Sequence, residues 1–598
     1  MDQKRLILAI AISLAIMLGF QAFVAPHLPK TEPPPVAGAP GQPGVTSGTG
    51  GTGTGAVPGQ AQPGSTASAV PRDVPRVPIT AKKITGSISL LGARLDDVVL
   101  VDYRETIDPN SPHVRLLEPR SDAKPYYVQY GWTAPTGETV ALPDDDTVWT
   151  AEGGPLTSGG PLGGGPLGGG KTTLTWDNGQ GLTFQIVFSI DDEALFTVRQ
   201  TVRNATGQPV NLLPWSRVRR DYKPQTAGYY VLHEGLLGVV DGSLKETTYD
   251  SAKSEGEKKK GIALEATTTA GWAGITDKYW LVAMIPDQAV PVRVFFRHLE
   301  DKTAAEKDRY QVDYVTQAPL TAAPGQEASF ESHLFVGAKQ VRLLDTYESA
   351  LHLPHFDKAV DFGYFYFLTK PIFYAIDFLY RLFGNFGVAI LIFTTLVKGL
   401  FFPLADYSYR SMSKMKLLAP KMAELRERYK EEPAKLQPEM MALYRQEKIN
   451  PASGCLPILI QIPVFFSLYK VIFVTIEMRQ APFFGWIKDL SQVDPTNVFN
   501  LFGLIPYDPG QLSPYLHLGV WPLLMGITMF LQQKLNPPPP DPVQAKMFQF
   551  MPILFTFMLA GFPAGLVIYW TWNNLLSSGQ QWLMMRRTRL EKPSLARV

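Results

Sequence analysis

Residues 385–405 read NFGVAILIFTTLVKGLFFPLA, twenty-one positions with a single charge, Lys398. A helix needs about 20 mostly apolar residues to cross ~30 Å of hydrocarbon, so this stretch predicts a span and makes the chain an integral membrane protein. A lysine near mid-bilayer costs ~2.5–3.5 kcal/mol on insertion scales, which marks it as a functional candidate. Lys398 lies seven or eight residues from the cytoplasmic end of the run. At 1.5 Å per residue that is about 12 Å, further than a lysine comfortably snorkels. Thr394 and Thr395 lie one turn earlier on the same face and extend a polar stripe.

Working outward, apolar runs recur at Cys455 to Ile476, near Pro514 to Gln533, at Met547 to Ala560 and at Ala564 to Leu583, the last two joined by the tight Gly561-Phe-Pro-Ala564 turn. Residues 6–25 give a sixth run, twenty positions without a charge behind Lys4 and Arg5. Its length reads as an uncleaved anchor rather than a signal peptide, whose apolar core is usually ~7–15 residues. Charge bias orients the set. The 406–450 loop carries ten Lys/Arg, the 477–518 segment two, and the tail from Arg586 five. Positive charge stays in the cytoplasm, so six crossings place both termini and the 406–450 loop there, with residues 26–384 exported. Within the loop, Met412, Met415, Met422 and Leu425, then Leu436, Met440 and Leu443, recur at helical spacing around a break at Pro433. This predicts an antiparallel helical hairpin whose methionines pack it together. Residues 361–383, aromatic with interspersed charges, suit a helix lying in the membrane interface.

The last helix is two-faced. Tyr569, Asn573, Asn574, Ser577, Ser578, Gln580 and Gln581 share one half at 100° per residue. A polar half on a membrane helix must face a partner or water. With Lys398, Thr394, Gln461 and Gln533 it describes a hydrated cavity carrying positive charge, and the five C-terminal spans contain no acidic residue to neutralise it. Such a cavity suits a transient anionic guest and lacks the acids a proton relay needs. Lys470, nearer the exported end and on the opposite side of its helix from Gln461, reads as snorkelling.

The N-terminal half has a different texture. Residues 31–75 hold ten Gly and nine Pro, too little apolar surface to offset ordering entropy, hence a disordered tether. From about Ile84 to Val341, short alternating runs such as LTFQIVFSI (182–190) and FTVRQTVRN (196–204), with a turn at Asp177-Asn178-Gly179, predict a β-sandwich or barrel. Residues 165–172 match the Walker A spacing. They sit in a GGPLGGG repeat and precede a strand-like TTLTW instead of a helix, which removes the phosphate-binding logic. His352 and His355, and His233 beside Glu234, lack a ligand pattern, so no metal or cofactor is expected. One cysteine, Cys455, excludes an intramolecular disulfide framework, and a net charge of +2 argues against a sequence-specific nucleic-acid partner.

The stretch from TTLVKGLFFPLADYSYRSMSKMK to INPASGCLPILIQIPVFFSLY, with EMRQAPFFGWIKDLSQVDP, PLLMGITMFLQQKL and FMPILFTFMLAGFPAGLVIYW, resembles the core of the YidC/Oxa/Alb membrane protein insertases across 356–585. GWAGITDKYWLVAMIP (271–286) and the single N-terminal anchor are similar to the Gram-negative YidC type. The resemblance implies a polytopic α-helical membrane protein of six transmembrane helices, five forming the insertase core, with a large periplasmic all-β supersandwich. It divides the chain into an anchor (1–25), a linker (26–80), a periplasmic domain (81–355) and a core (356–598). It implies a non-enzymatic insertase and chaperone of the bacterial inner membrane. Its groove would contain Lys398, Thr394, Gln461, Gln533, Tyr569, Asn573 and Asn574. Its partners would be nascent membrane proteins, the Sec translocon, lipid, and the ribosome and targeting factors at the hairpin and tail. The family's groove cation is commonly arginine. Lysine keeps the charge and loses bidentate carboxylate pairing. An ion or solute transporter would want counter-charges and paired broken helices, and a carbohydrate enzyme a His/Glu constellation. Neither pattern is evident.

Overall fold

In the strand Leu182–Ile190 every second side chain is buried: Leu182, Phe184, Ile186, Phe188 and Ile190. That is the period-2 signature of a sheet with one face on a core. The computed structural model describes residues 74–160, 169–226, 232–301, 308–429, 432–447, 456–507, 509, 517–535 and 542–590. The expected anchor, most of the tether, Cys455, residues 165–168 of the glycine repeat, the prolines at 537–540 and the tail beyond 590 lie outside these.

Among the described residues, strands between Arg76 and Ala338 form an eleven-stranded and a nine-stranded sheet, paired almost throughout antiparallel. Leu182–Ile190 lies between Thr172–Asp177 and Leu195–Asn204, in register with Phe184 opposite Trp176 and Ile190 opposite Phe196. The Asp177-Asn178-Gly179 turn closes the first hairpin. Gly179 has φ +68°, and the Asn178 side chain accepts from the amides of Gln180 and Leu182 at 2.8 and 3.1 Å. The sheets pack face to face: Trp132 meets Phe184 edge-on at 5.1 Å and Tyr130 meets Phe188 at 6.0 Å. The first strand, Arg76–Thr80, begins five residues ahead of the boundary expected at 81, with Val77 and Ile79 buried. Flanking prolines made it look like tether. Thr172 enters a strand, not a helix N-terminus, so the Walker-like spacing has no phosphate cradle.

The helices are α1 (Tyr249–Lys258), α2 (Val341–Ala350), α3 (Tyr366–Phe383), α4 (Phe386–Leu400), α5 (Phe402–Arg428), α6 (Pro433–Gln446), α7 (Leu456–Val474), α8 (Val520–Leu535), α9 (Pro542–Leu559) and α10 (Ala564–Leu590). The stretch 361–383, expected to lie in the membrane interface, forms α3 from Tyr366. It exposes Phe367, Phe378, Leu382 and Phe383, and turns Asp377 and Lys370 to Arg342 (2.6 Å) and Asp345 (2.8 Å) on α2.

The stretch 385–405 is not one straight helix. It breaks between α4 and α5 at a bend of 61°. Pro403 has no N–H to offer the Gly399 carbonyl and its ring crowds that turn, so the break falls at Leu400–Phe401. No single described helix is long and apolar enough to cross a membrane, whereas Phe386–Leu400 with Phe402–Ser411 meets that measure as a bent pair. Beyond the bend α5 runs on into the hairpin with α6. Leu418, Met422 and Tyr444 are buried there, and Met415, Met440 and Leu443 pack on them, so these methionines hold the hairpin together. The side chain of Met412 is outside the described set.

The sandwich is joined to the bundle at the end of α7. Glu477 accepts the Val341 amide at 3.0 Å, Arg479 donates to the Arg104 carbonyl at 2.6 Å, and the Lys278 ammonium sits 3.7 Å from the Phe473 ring. Lys470 reaches the same end, in an ion pair with Asp361 at 2.9 Å.

Candidate functional site: an acid-free groove around Lys398

The bend carries Lys398 to the last turn of α4, where the partial negative charge of the helix end favours a cation. Its Nζ donates to Ser577 Oγ of α10 at 2.8 Å, and that hydroxyl donates to the Asn573 carbonyl at 2.8 Å. Gln580 Nε2, one turn along α10, approaches the Lys398 carbonyl at 3.4 Å. Because α5 turns back at 61°, Leu404, Ala405 and Tyr409 return beside the lysine. With Val397, Phe401, Gln461, Val464 and Gln580 they line a small recess of about 50 Å³. Among the described residues its lining holds one cation and no carboxylate. A half-buried ammonium with a single neutral hydroxyl as acceptor among the described residues is under-satisfied, since it has three protons to donate. Such a group can receive a carboxylate without first breaking an ion pair.

The residues expected in the groove divide. Lys398 and Gln461 line the recess. Tyr569 is buried behind it and accepts from Gln461 Nε2. Thr394 is buried with its hydroxyl donated to the Ile390 carbonyl at 2.7 Å. Thr395 instead meets α10, accepting from Trp572 Nε1 at 3.1 Å. Asn574 faces α8, 3.4 Å from Thr528 Oγ1, and so serves helix packing. Gln533 and Asn573 are not in the lining, and the side-chain oxygen of each is buried without a partner among the described residues. The sequence reading left Tyr409 out. The signal was the Gly399 and Pro403 pair, which turns the chain back toward the groove. Ser577 and Gln580 were legible as polar-face residues, but their pairing with α4 depends on how α10 is rotated.

The His233 amide donates to Asp361 at 3.0 Å and its Nε2 lies 3.1 Å from the Leu236 carbonyl. Glu348, His355 and Asp357 cluster closely enough to suggest a metal. However, Asp357 already accepts from Lys370 and Tyr366, and Glu348 from the Asp357 amide at 2.9 Å.

The described residues thus join a β-sandwich to a bundle of apolar helices, with one cation in a recess between the helices. Residues 378–592 match the family model described as 60Kd inner membrane protein, and residues 76–375 that described as YidC periplasmic domain. A membrane protein insertase YidC of Granulibacter bethesdensis is 59% identical over the full length of both chains. One of Acidiphilium cryptum is 51% identical over 88% of this chain and 86% of its own. A solved structure described as an active YidC insertase with its first transmembrane domain resolved is 16% identical, covering 85% of this chain and 92% of its own, at a TM-score of 0.34. The chain belongs to the YidC family of membrane protein insertases.

Proposed function

We propose that this chain inserts and folds integral membrane proteins in the bacterial inner membrane, alone or beside the Sec translocon, without catalysing a covalent reaction. The observation that carries the mechanism is Lys398, held by one hydroxyl in a recess without carboxylates. An acidic side chain or tail of the incoming segment is drawn to its ammonium. Gln461, Tyr409 and Gln580 offer hydrogen bonds to polar backbone that is still unpaired, which lipid could not do. The apolar segment then passes into lipid, and burial of about 20 apolar residues drives the step.

The topology that fits has six crossings, with residues 26–384 periplasmic and both termini cytoplasmic. The bent α4–α5 pair is the second crossing, and α7, α8, α9 and α10 are the remaining four. Ten basic residues at 406–450 against two at 477–518 support this orientation. The hairpin and basic tail then face the ribosome, targeting factors and nascent chain. The test replaces Lys398 with alanine and with glutamate, and measures insertion of a Sec-independent single-span client bearing an acidic residue. Losing one charge-assisted contact predicts a drop of about tenfold for alanine and a larger one for glutamate. Undiminished insertion by Lys398→Glu would end the charge-attraction mechanism.

A further inference from the structure

A second recess lies where the sandwich meets the exported end of α7, about 740 Å³ in volume and unconnected by any lining residue to the Lys398 groove. One wall is the strand Ser243–Thr248, which turns Leu244, Glu246 and Thr248 to the same side at every second position. The opposite wall is Phe362 to Tyr366, with Phe466 and Tyr469 of α7. The floor is closed chemically. Asp361 takes the Lys470 ammonium at 2.9 Å, the His233 amide at 3.0 Å and the Gly363 amide at 3.0 Å. Gly363 is required there, since at φ +72° a Cβ would stand 2.8 Å from the Lys470 side chain.

We propose that this recess binds the headgroup and upper acyl chains of a zwitterionic phospholipid of the outer leaflet. Three observations select that occupant. The apolar wall is continuous with side chains aimed outward: Tyr364 is fully exposed, and Phe367 and Phe466 are exposed beside it. An aromatic belt of this kind marks the level of lipid headgroups. The polar wall offers one acid and one base, Glu246 and Lys358, neither ion-paired among the described residues. With Asp361 and Lys470 cancelling each other, the carboxylates and ammoniums lining the recess balance, so an anionic headgroup gains no net attraction. A headgroup bearing both an ammonium and a phosphate can satisfy Glu246 and Lys358 together. Finally, the volume falls within the ~300–1,000 Å³ usual for ligand pockets, room for a headgroup with its glycerol backbone and the first carbons of its chains. The inference rests on the membrane placement of α7 proposed above.

The test uses the full chain in nanodiscs containing phosphatidylethanolamine and phosphatidylglycerol, each supplied in turn as a photoactivatable analogue, with labelled peptides mapped by mass spectrometry. The ethanolamine probe is expected to label 244–248 and 358–369 about tenfold more than the glycerol probe, the usual worth of one charge-assisted contact. Glu246→Gln should erase that preference and Lys358→Gln should lower labelling by both probes, with labelling of α8 unchanged as the control for folding. Equal labelling by the two probes, or a preference that survives the double substitution, overturns the site. So does labelling that is lost when a stalled client chain is bound, since the recess would then be the client's. Insertion measured on the same preparations separates the two readings: normal insertion without headgroup preference removes the lipid site and leaves the insertase assignment standing.

Discussion

At position 398 the protein holds a cation whose one side-chain acceptor is neutral, Ser577 Oγ at 2.8 Å. The net worth of such a hydrogen bond is about 1 kcal/mol. Ser577→Ala should therefore change client insertion by less than about threefold. Ser577→Asp is the sharper experiment, because it would place a permanent counter-ion beside Lys398. Insertion rates should then fall about tenfold, as severely as for Lys398→Ala, if the groove works by offering an unclaimed positive charge. Equal rates for Ser577→Asp and Ser577→Ala would refute that idea. Residue chemistry was the most legible layer of this site. A lysine among uncharged neighbours, a glutamine at 461 and a polar half-helix from Tyr569 stand out from composition and spacing alone. What spacing could not assign was contact between helices. Asn574 and Ser577 lie three positions apart on one helix, yet the first packs on α8 and the second meets Lys398.

Among the elements, alternation made the sandwich readable, since strands such as Leu182–Ile190 bury one face only. The helices were legible as apolar runs but not as shapes. The 385–405 run looked like one rod because length and hydropathy do not register a missing N–H, and Pro403 splits it at 61°. Helix crossings were equally invisible. Gly526 of α8 meets α9 so closely that a Cβ would stand 2.0 Å from Thr556 Oγ1, the close approach that small residues permit between membrane helices. Gly526→Val should overpack this crossing by about 1–3 kcal/mol. The thermal midpoint in detergent should drop, and Gly526→Val combined with Thr556→Ala should recover part of the loss. A midpoint unchanged in the single variant would show that α8 and α9 do not press together there.

Across the whole molecule, the sandwich and the bundle meet through a small number of defined contacts, one of which titrates. Glu477 is half-buried beside α2, and desolvation pushes its carboxyl up to about 7. A carboxyl raised in the folded state is most favourable when protonated. Its contribution is complete below the ordinary value near 4.5 and is lost as pH rises through about 7. The midpoint of the wild-type chain should accordingly fall by a few degrees between pH 5 and 8, while Glu477→Gln, which can still accept from Val341, should show a flatter profile. Identical profiles would exclude the carboxyl as the source. Deleting 84–341 should leave insertion of a Sec-independent client largely intact, because α4, α5, α7, α10 and Phe401 between them supply the whole lining of the recess. Loss of insertion would place part of the working site in the sandwich. The break at Pro403 has one more effect. It deprives the Gly399 carbonyl of its helical donor, and the neighbouring Lys398 carbonyl takes Gln580 at 3.4 Å, so part of the groove's polarity belongs to the main chain. Main-chain polarity is inherited whatever side chain occupies position 398. The groove can therefore exchange one cation for another over evolutionary time and still offer an incoming peptide somewhere to bond.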